Sequence, residues 1–79
     1  MQLTAFTGAE LATRKVGWQA AFAPVPGVGN GAWSHGAVSL GKIINAVLWV
    51  DYGTFGIEFA VSSPTTTLAM AVTLAQSIK

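Results

Sequence analysis

The chain offers few side chains that could perform acid–base or nucleophilic chemistry, and it contains no cysteine. Its only histidine, His35, follows Ser34, but neighbouring residues on a strand point to opposite faces of a sheet, so the two do not form a serine–histidine pair. Asp51 and Glu58 could act as a carboxylate pair on adjacent strands. In a hairpin that turns near Gly53, however, they are expected to be outward-facing charges that keep the sheet soluble. We therefore expect no enzymatic activity.

Cofactor, metal and nucleic-acid sites are also poorly supported. The segment Gly27–Gly31 lacks the lysine of a phosphate-binding loop and the third glycine of a dinucleotide fingerprint, so no cofactor is predicted. Four cations do not make the basic stripe that nucleic acid requires. His35 is expected to hydrogen-bond to backbone at the start of a strand. The alternative is a functional site in a trimer, in which the three copies of His35 meet at the three-fold axis and hold a metal ion.

The composition points to a small domain that needs partners. Seventy-nine residues make one domain, over 1–79, with a marginal core. Apolar residues make up 52% and charged residues 9%, against roughly 25% charged in ordinary soluble domains. We expect other copies of the chain to cover part of the apolar surface, hence a homo-oligomer. The uncharged run over 59–78 is interrupted by polar, turn-forming residues, so membrane insertion is not predicted.

Alternation of apolar and polar residues predicts strands over most of the chain. The predicted strands cover residues 1–7, 16–23, 32–40, 43–52, 55–61 and 68–75, with turns at 24–31, 52–54 and 62–66. A capping box at Thr7 and Glu10 predicts one or two helical turns over 8–15, which Gly17 would end. The predicted fold class is all-β: a small antiparallel sandwich or curled meander sheet with one short helical turn near the N-terminus.

The segment from Trp33 to Asp51 is the most informative part of the sequence for the predicted fold. Its second half, from Ile43, is apolar on both faces and is predicted to be the central strand. Its first half follows a glycine-rich loop, so Trp33 is expected to be exposed and Trp49 to be buried. Residues in or beside turns are the best candidates for binding a ligand, and these are Trp33, His35, Asn30 and Tyr52.

The order of several segments resembles the C-terminal receptor-binding domains of phage tail-fibre and baseplate proteins. The matching pieces are Glu10, Lys15, Trp18–Phe22, His35-Gly36, Leu40–Asn45, Ala69–Leu74 and Lys79. The resemblance implies a trimeric β-structure on a phage virion, in contact with other virion proteins and with a host-surface glycan or protein. It implies no catalytic residues. The alternative is a structural virion subunit, a capsid decoration or fibre assembly protein, that binds no ligand.

Overall fold

The computed structural model describes residues 1–40, 43–63 and 67–78. Five strands and two helices follow one another along the chain. They are β1 (Gln2–Thr7), α1 (Gly8–Ala21), β2 (Ala23–Pro24), β3 (Gly31–Leu40), β4 (Ile43–Asp51), β5 (Phe55–Ser63) and α2 (Leu68–Ser77). The strands predicted near the N-terminus and over 32–40, 43–52 and 55–61 are thereby confirmed. Most of the turn predicted over 62–66 lies outside the described residues.

The strands form one antiparallel sheet in the order β1-β5-β4-β3-β2. β3, β4 and β5 are a meander with short connections, as predicted. The sequence from Ile43 to Asp51 is the middle strand, and its two apolar faces are both covered, which confirms its predicted central place. The chain does not form a second sheet within the described residues, so the sandwich alternative is wrong.

Helix α1 begins where the sequence predicts it and ends later. Thr7 accepts a hydrogen bond from the Glu10 backbone N–H, and the Glu10 carboxylate accepts one from the Thr7 backbone N–H. The helix then passes Gly17 and continues to Ala21, so the strand predicted over 16–23 is wrong. Leu11 and Trp18 lie two turns apart on one side of the helix and are buried against the sheet. A glycine inside a helix destabilises it by about 1 kcal/mol relative to alanine, and the burial of Trp18 offsets this cost at Gly17.

Helix α2 replaces the strand predicted over 68–75. Thr67 caps it by accepting a hydrogen bond from the Met70 backbone N–H. Ala71 and Ala75, one turn apart, are fully buried, and the helix lies on β4 and β5. Small side chains at these two positions let the helix approach the sheet closely.

The two helices cover opposite faces of the sheet, so the core has two parts. On the α2 side, Leu48, Val50 and Phe59 are the largest fully buried side chains. On the α1 side the packing is mainly aromatic. The predicted all-β class is therefore confirmed only in its coarse form: the fold is mostly antiparallel sheet, with helices of 14 and 10 residues in place of one short turn.

Candidate functional site

The four residues predicted to bind a ligand do not share one surface. Asn30 is exposed, and its backbone N–H donates to the Asp51 carbonyl at 2.7 Å, next to Tyr52 at the end of β4. Tyr52 is half-buried on the α2 side, where its hydroxyl donates to the Ala75 carbonyl at 2.7 Å. Trp33 and His35 lie instead on the α1 side, and His35 is opposite Val47, further along β3. The structure therefore brings these residues together in two pairs.

The expectation that Trp33 is exposed is wrong. Its side chain is only 9% exposed, and its ring lies 6.1 Å from that of Trp18. Trp49, expected to be buried, is half-buried. α1 extends far enough to place Trp18 and Phe22 over both residues, whereas the predicted helix would have ended before reaching them.

An aromatic cluster consequently fills the space between α1 and the sheet. Its members are Phe6, Trp18, Phe22, Trp33 and Trp49. Trp18 stacks on Trp49 with ring centroids 5.8 Å apart, and Phe22 lies 4.2 Å from Trp49. His35 is exposed at the margin of this cluster, with its ring 6.0 Å from Phe22 in an edge-on arrangement. The aromatic rings are thus used mainly in packing α1 onto the sheet.

Asp51 is buried, contrary to the expectation that it is an outward-facing charge. Only 5% of the residue is exposed. Lys15 Nζ lies 2.8 Å from Asp51 Oδ2, and the Gly53 backbone N–H donates to Asp51 Oδ1 at 2.7 Å. Burial alone would raise the pKa of Asp51, but the bonds from Lys15 and Gly53 outweigh it and the pKa lies below its ordinary value.

Glu58 is also engaged, in a separate contact. The indole N–H of Trp49 donates to Glu58 Oε1 at 2.9 Å, between directly opposed positions on β4 and β5. Asp51 and Glu58 thus have separate donors. Among the described residues, no three histidine, aspartate or glutamate side chains lie close enough to hold a metal ion.

Several exposed apolar side chains lie on the α2 side, whereas Val16 is exposed on α1. Leu3 and Ala5 of β1 are opposite Phe59 and Ile57, so their side chains are on the α2 face of the sheet. α2 covers β4 and β5 but leaves this part of β1 open: Leu3 is 46% exposed.

Two further apolar side chains border this region from the helix. Met70 and Leu74 are 54% and 40% exposed. On one flank of α2, Gln76 donates to the Gly27 carbonyl. Met70 and Leu74 lie on the opposite flank, which faces β1. We call Leu3, Ala5, Met70 and Leu74 the apolar surface. It contains no charged residue, because β1 and α2 contain none.

An open depression of about 640 Å³ runs along the outer side of α2 beside this surface. Its lining is likewise uncharged and consists of Thr67, Ala69, Met70, Thr73, Leu74 and Ser77. A smaller depression of about 360 Å³ lies near the other edge of the sheet, lined by Pro24, Val25, Pro26, Gly31, Ala32 and Trp33. In the described part of the chain, neither helix is long and apolar enough to cross a membrane.

Comparison with known proteins gives no relative: no family model matches the sequence, and neither the curated proteins nor the solved structures contain a significant match.

Proposed function

We propose that this protein is a non-enzymatic structural subunit that works by associating with further copies of itself. The observation that carries the proposal is the apolar surface formed by Leu3, Ala5, Met70 and Leu74. Apolar patches on soluble proteins are usually covered by a partner, and a chain with 9% charged residues has little charge to keep its copies apart.

The polar contacts support a non-enzymatic function. A general base needs a carboxylate or imidazole that can reach a substrate. Asp51 is enclosed by Lys15 and Gly53, and Glu58 is bound to Trp49. These bonds engage both carboxylate oxygens of Asp51 and Oε1 of Glu58, and they hold α1 and two strands in place.

The resemblance to phage tail-fibre and baseplate domains extends this proposal to a biological setting. It would make the assembly part of a phage virion, as a capsid decoration or fibre assembly protein. The family's trimers would then be one possible form of the homo-oligomer. This extension depends on the matching sequence segments.

The mass of the protein in solution tests the proposal. Size-exclusion chromatography with light scattering, from low to high micromolar concentration, should give a multiple of the 8.2 kDa chain mass. The mass should persist in 1 M salt, because apolar contacts are not screened whereas charge pairs are. A single-chain mass at every concentration would overturn the proposed function.

Receptor binding is the second candidate, favoured by the depression beside Trp33. Pro24, Pro26 and Trp33 give it an apolar lining of the kind that packs against a sugar face. Trp33 is the predicted ligand-binding residue that lines this depression. Binding of the purified protein to an array of bacterial surface glycans should then be lost in Pro26→Glu. Unchanged binding in this variant would exclude the site.

A further inference from the structure

The outer edge of β1 lacks the features that normally prevent sheets from joining. Natural edge strands are kept apart by charged residues, prolines, bulges or very short length. β1 has six residues, none charged and none proline, and its pairing with β5 runs without a break from Gln2 to Thr7. Within the described part of the chain, no strand lies on its other side.

The opposite edge of the sheet shows three of these features. β2 is only two residues long and one of them is Pro24. β3, next to it, has an irregular register between His35 and Val38. The contrast within one sheet indicates that β1 is open for pairing, whereas the β2–β3 edge is protected.

We propose that β1 pairs antiparallel with β1 of a second copy, which joins the two sheets into one across a two-fold axis. This inference rests on the proposed function and specifies the contact that carries it. Each β1 would gain backbone hydrogen bonds on its open side. Leu3 and Ala5 of the two copies would come together on the α2 face and cover part of the apolar surface.

The charges near β1 favour a second copy in the antiparallel orientation. β1 itself is uncharged, so its centre creates no repulsion between identical strands. On β5, Glu58 is directly opposite Thr4, and its carboxylate accepts a hydrogen bond from Trp49. Glu10, bonded to Thr7, and Arg14, whose guanidinium lies 4.7 Å from the centroid of the Phe6 ring, are both near one end of β1. Antiparallel pairing places these ends at opposite ends of the contact, whereas parallel pairing would bring the two copies of Arg14 together.

The register is limited by the faces of the sheet. Directly opposed residues in an antiparallel pair lie on the same face of the sheet. The residue of β1 at the two-fold axis must therefore be opposite the same residue of the second copy, because an axis midway between two consecutive residues would pair residues from different faces. With Thr4 at the axis, Leu3 of each copy is opposite Ala5 of the other. With Ala5 at the axis, Leu3 would be opposite Thr7, whose hydroxyl belongs to the cap of α1. With Leu3 at the axis, only Gln2, Leu3 and Thr4 would be paired within β1. The Thr4-centred register pairs residues 2–6 and matches Leu3 with Ala5 on the α2 face, and we assign it to the pair.

The absence of cysteine allows a direct test of this register. Thr4 is exposed, so Thr4→Cys should be tolerated, and the two sulfur atoms across the axis would be within disulfide reach. Mild oxidation should give a covalent dimer. Ala23→Cys, at an exposed position of β2 on the opposite edge of the sheet, is the matched control and should stay mostly uncrosslinked. Equal crosslinking in the two variants would overturn the assigned contact.

A second pair of variants separates failure of this contact from failure of the proposed function. Leu3→Lys adds a charge to β1 and should raise the dissociation constant of the dimer by at least about tenfold. Leu74→Lys changes a similarly exposed leucine of the apolar surface that lies on α2, outside the β1–β1 contact, and should weaken the dimer less than Leu3→Lys does. If Leu74→Lys alone dissociates the copies, or if the assembly has the mass of a trimer, the β1 contact is wrong while self-association stands. A monomeric parent protein would overturn both.

Discussion

Lys15 on α1 and Asp51 at the end of β4 form an ion pair in which Nζ and Oδ2 are 2.8 Å apart. The lysine side chain is 37% exposed, whereas that of the aspartate is 7% exposed. The pair therefore lies at the boundary between α1 and the sheet, with its negative charge almost enclosed. It joins a helix near the start of the chain to the central strand.

Asp51→Asn should lower the free energy of unfolding at pH 7 by about 1–3 kcal/mol. Losing one partner of a fully buried pair costs more, but exposure of Lys15 reduces the effect. Because the pKa of Asp51 is lower in the folded than in the unfolded chain, its ionised form stabilises the fold above about pH 4, and this contribution is lost as the pH falls through the folded-state pKa.

Urea unfolding of the parent protein and Asp51→Asn between pH 7 and pH 2 measures this contribution. The difference between the two should shrink as the pH falls. Glu10→Gln, which changes the exposed carboxylate of the α1 cap and keeps an acceptor, is the control and should have the smaller effect at pH 7. Curves for the parent and Asp51→Asn that stay parallel over the whole range would contradict the account.

The bond between Trp49 and Glu58 predicts different results for two substitutions of Glu58. Glu58→Gln keeps a carbonyl oxygen that can accept from the indole N–H and should have little effect. Glu58→Val removes the acceptor and should lower the free energy of unfolding by about 1–2 kcal/mol, since a half-buried indole N–H would lose its partner. Thermal or urea unfolding followed by circular dichroism compares them, and equal losses would argue against the bond.

Two glycine-to-alanine substitutions should change the stability of the protein in opposite directions. Gly17 lies inside α1 with open space around it, so Gly17→Ala should stabilise the protein by about 0.5–1 kcal/mol. A Cβ atom on Gly56 would lie 2.7 Å from Leu11 Cδ1 and 3.1 Å from the Val50 carbonyl oxygen, so Gly56→Ala should destabilise by about 1–3 kcal/mol. Melting temperatures test both, and a loss of stability in Gly17→Ala would indicate that α1 ends before this residue.

Tyr52→Phe should remove the hydroxyl bond to Ala75 and lower the free energy of unfolding by about 0.5–1.5 kcal/mol. Burial raises the pKa of Tyr52 above its ordinary value. The folded state therefore favours the neutral phenol, and this stabilisation is present below about pH 10 and is lost as the pH rises toward the folded-state pKa. Unfolding of the parent protein should show this alkaline loss, and Tyr52→Phe should show less of it. Identical alkaline curves would refute the assignment.

The strands of the meander could be predicted because their pattern has one interpretation. From Ile43 to Val61, β-branched and aromatic residues alternate around a short turn at Gly53, and no helical spacing competes. Gly53 has φ +95°, which a glycine adopts easily, and the turn lies where it was expected.

The helices were harder because their patterns are ambiguous. Leucine, methionine and valine alternate with alanine over 68–75, which fits a strand, yet Ala71 and Ala75 one turn apart fit a helix equally well. The Thr67 cap and the alanine content were signals for the helix. In α1, the prediction that the isolated glycine at position 17 ends the helix is wrong. The free energy by which Gly17 destabilises the helix is small compared with the stabilisation from burying Trp18.

The errors at the site have two causes. Once α1 continues past Gly17, its next turn lies over Trp33 and Trp49, so the burial of Trp33 follows from the length of the helix. Lys15 lies within the predicted helix, and its contact with Asp51 depends on how the helix packs on the sheet, which local spacing does not reveal. Leu3, by contrast, lay on the strand that the sequence already predicted over residues 1–7.

The pairing of β1 with β5 also has a consequence for the order of folding. Leu3 is opposite Phe59, so the long segment between these two residues must close into a loop before this contact forms, whereas β3, β4 and β5 can pair with near neighbours. We expect β1 to dock last, and pulsed hydrogen exchange during refolding should show protection in β4 before β1. Until then the edge of β5 is open to β1 of another molecule, so refolding at high concentration should yield strand-exchanged dimers.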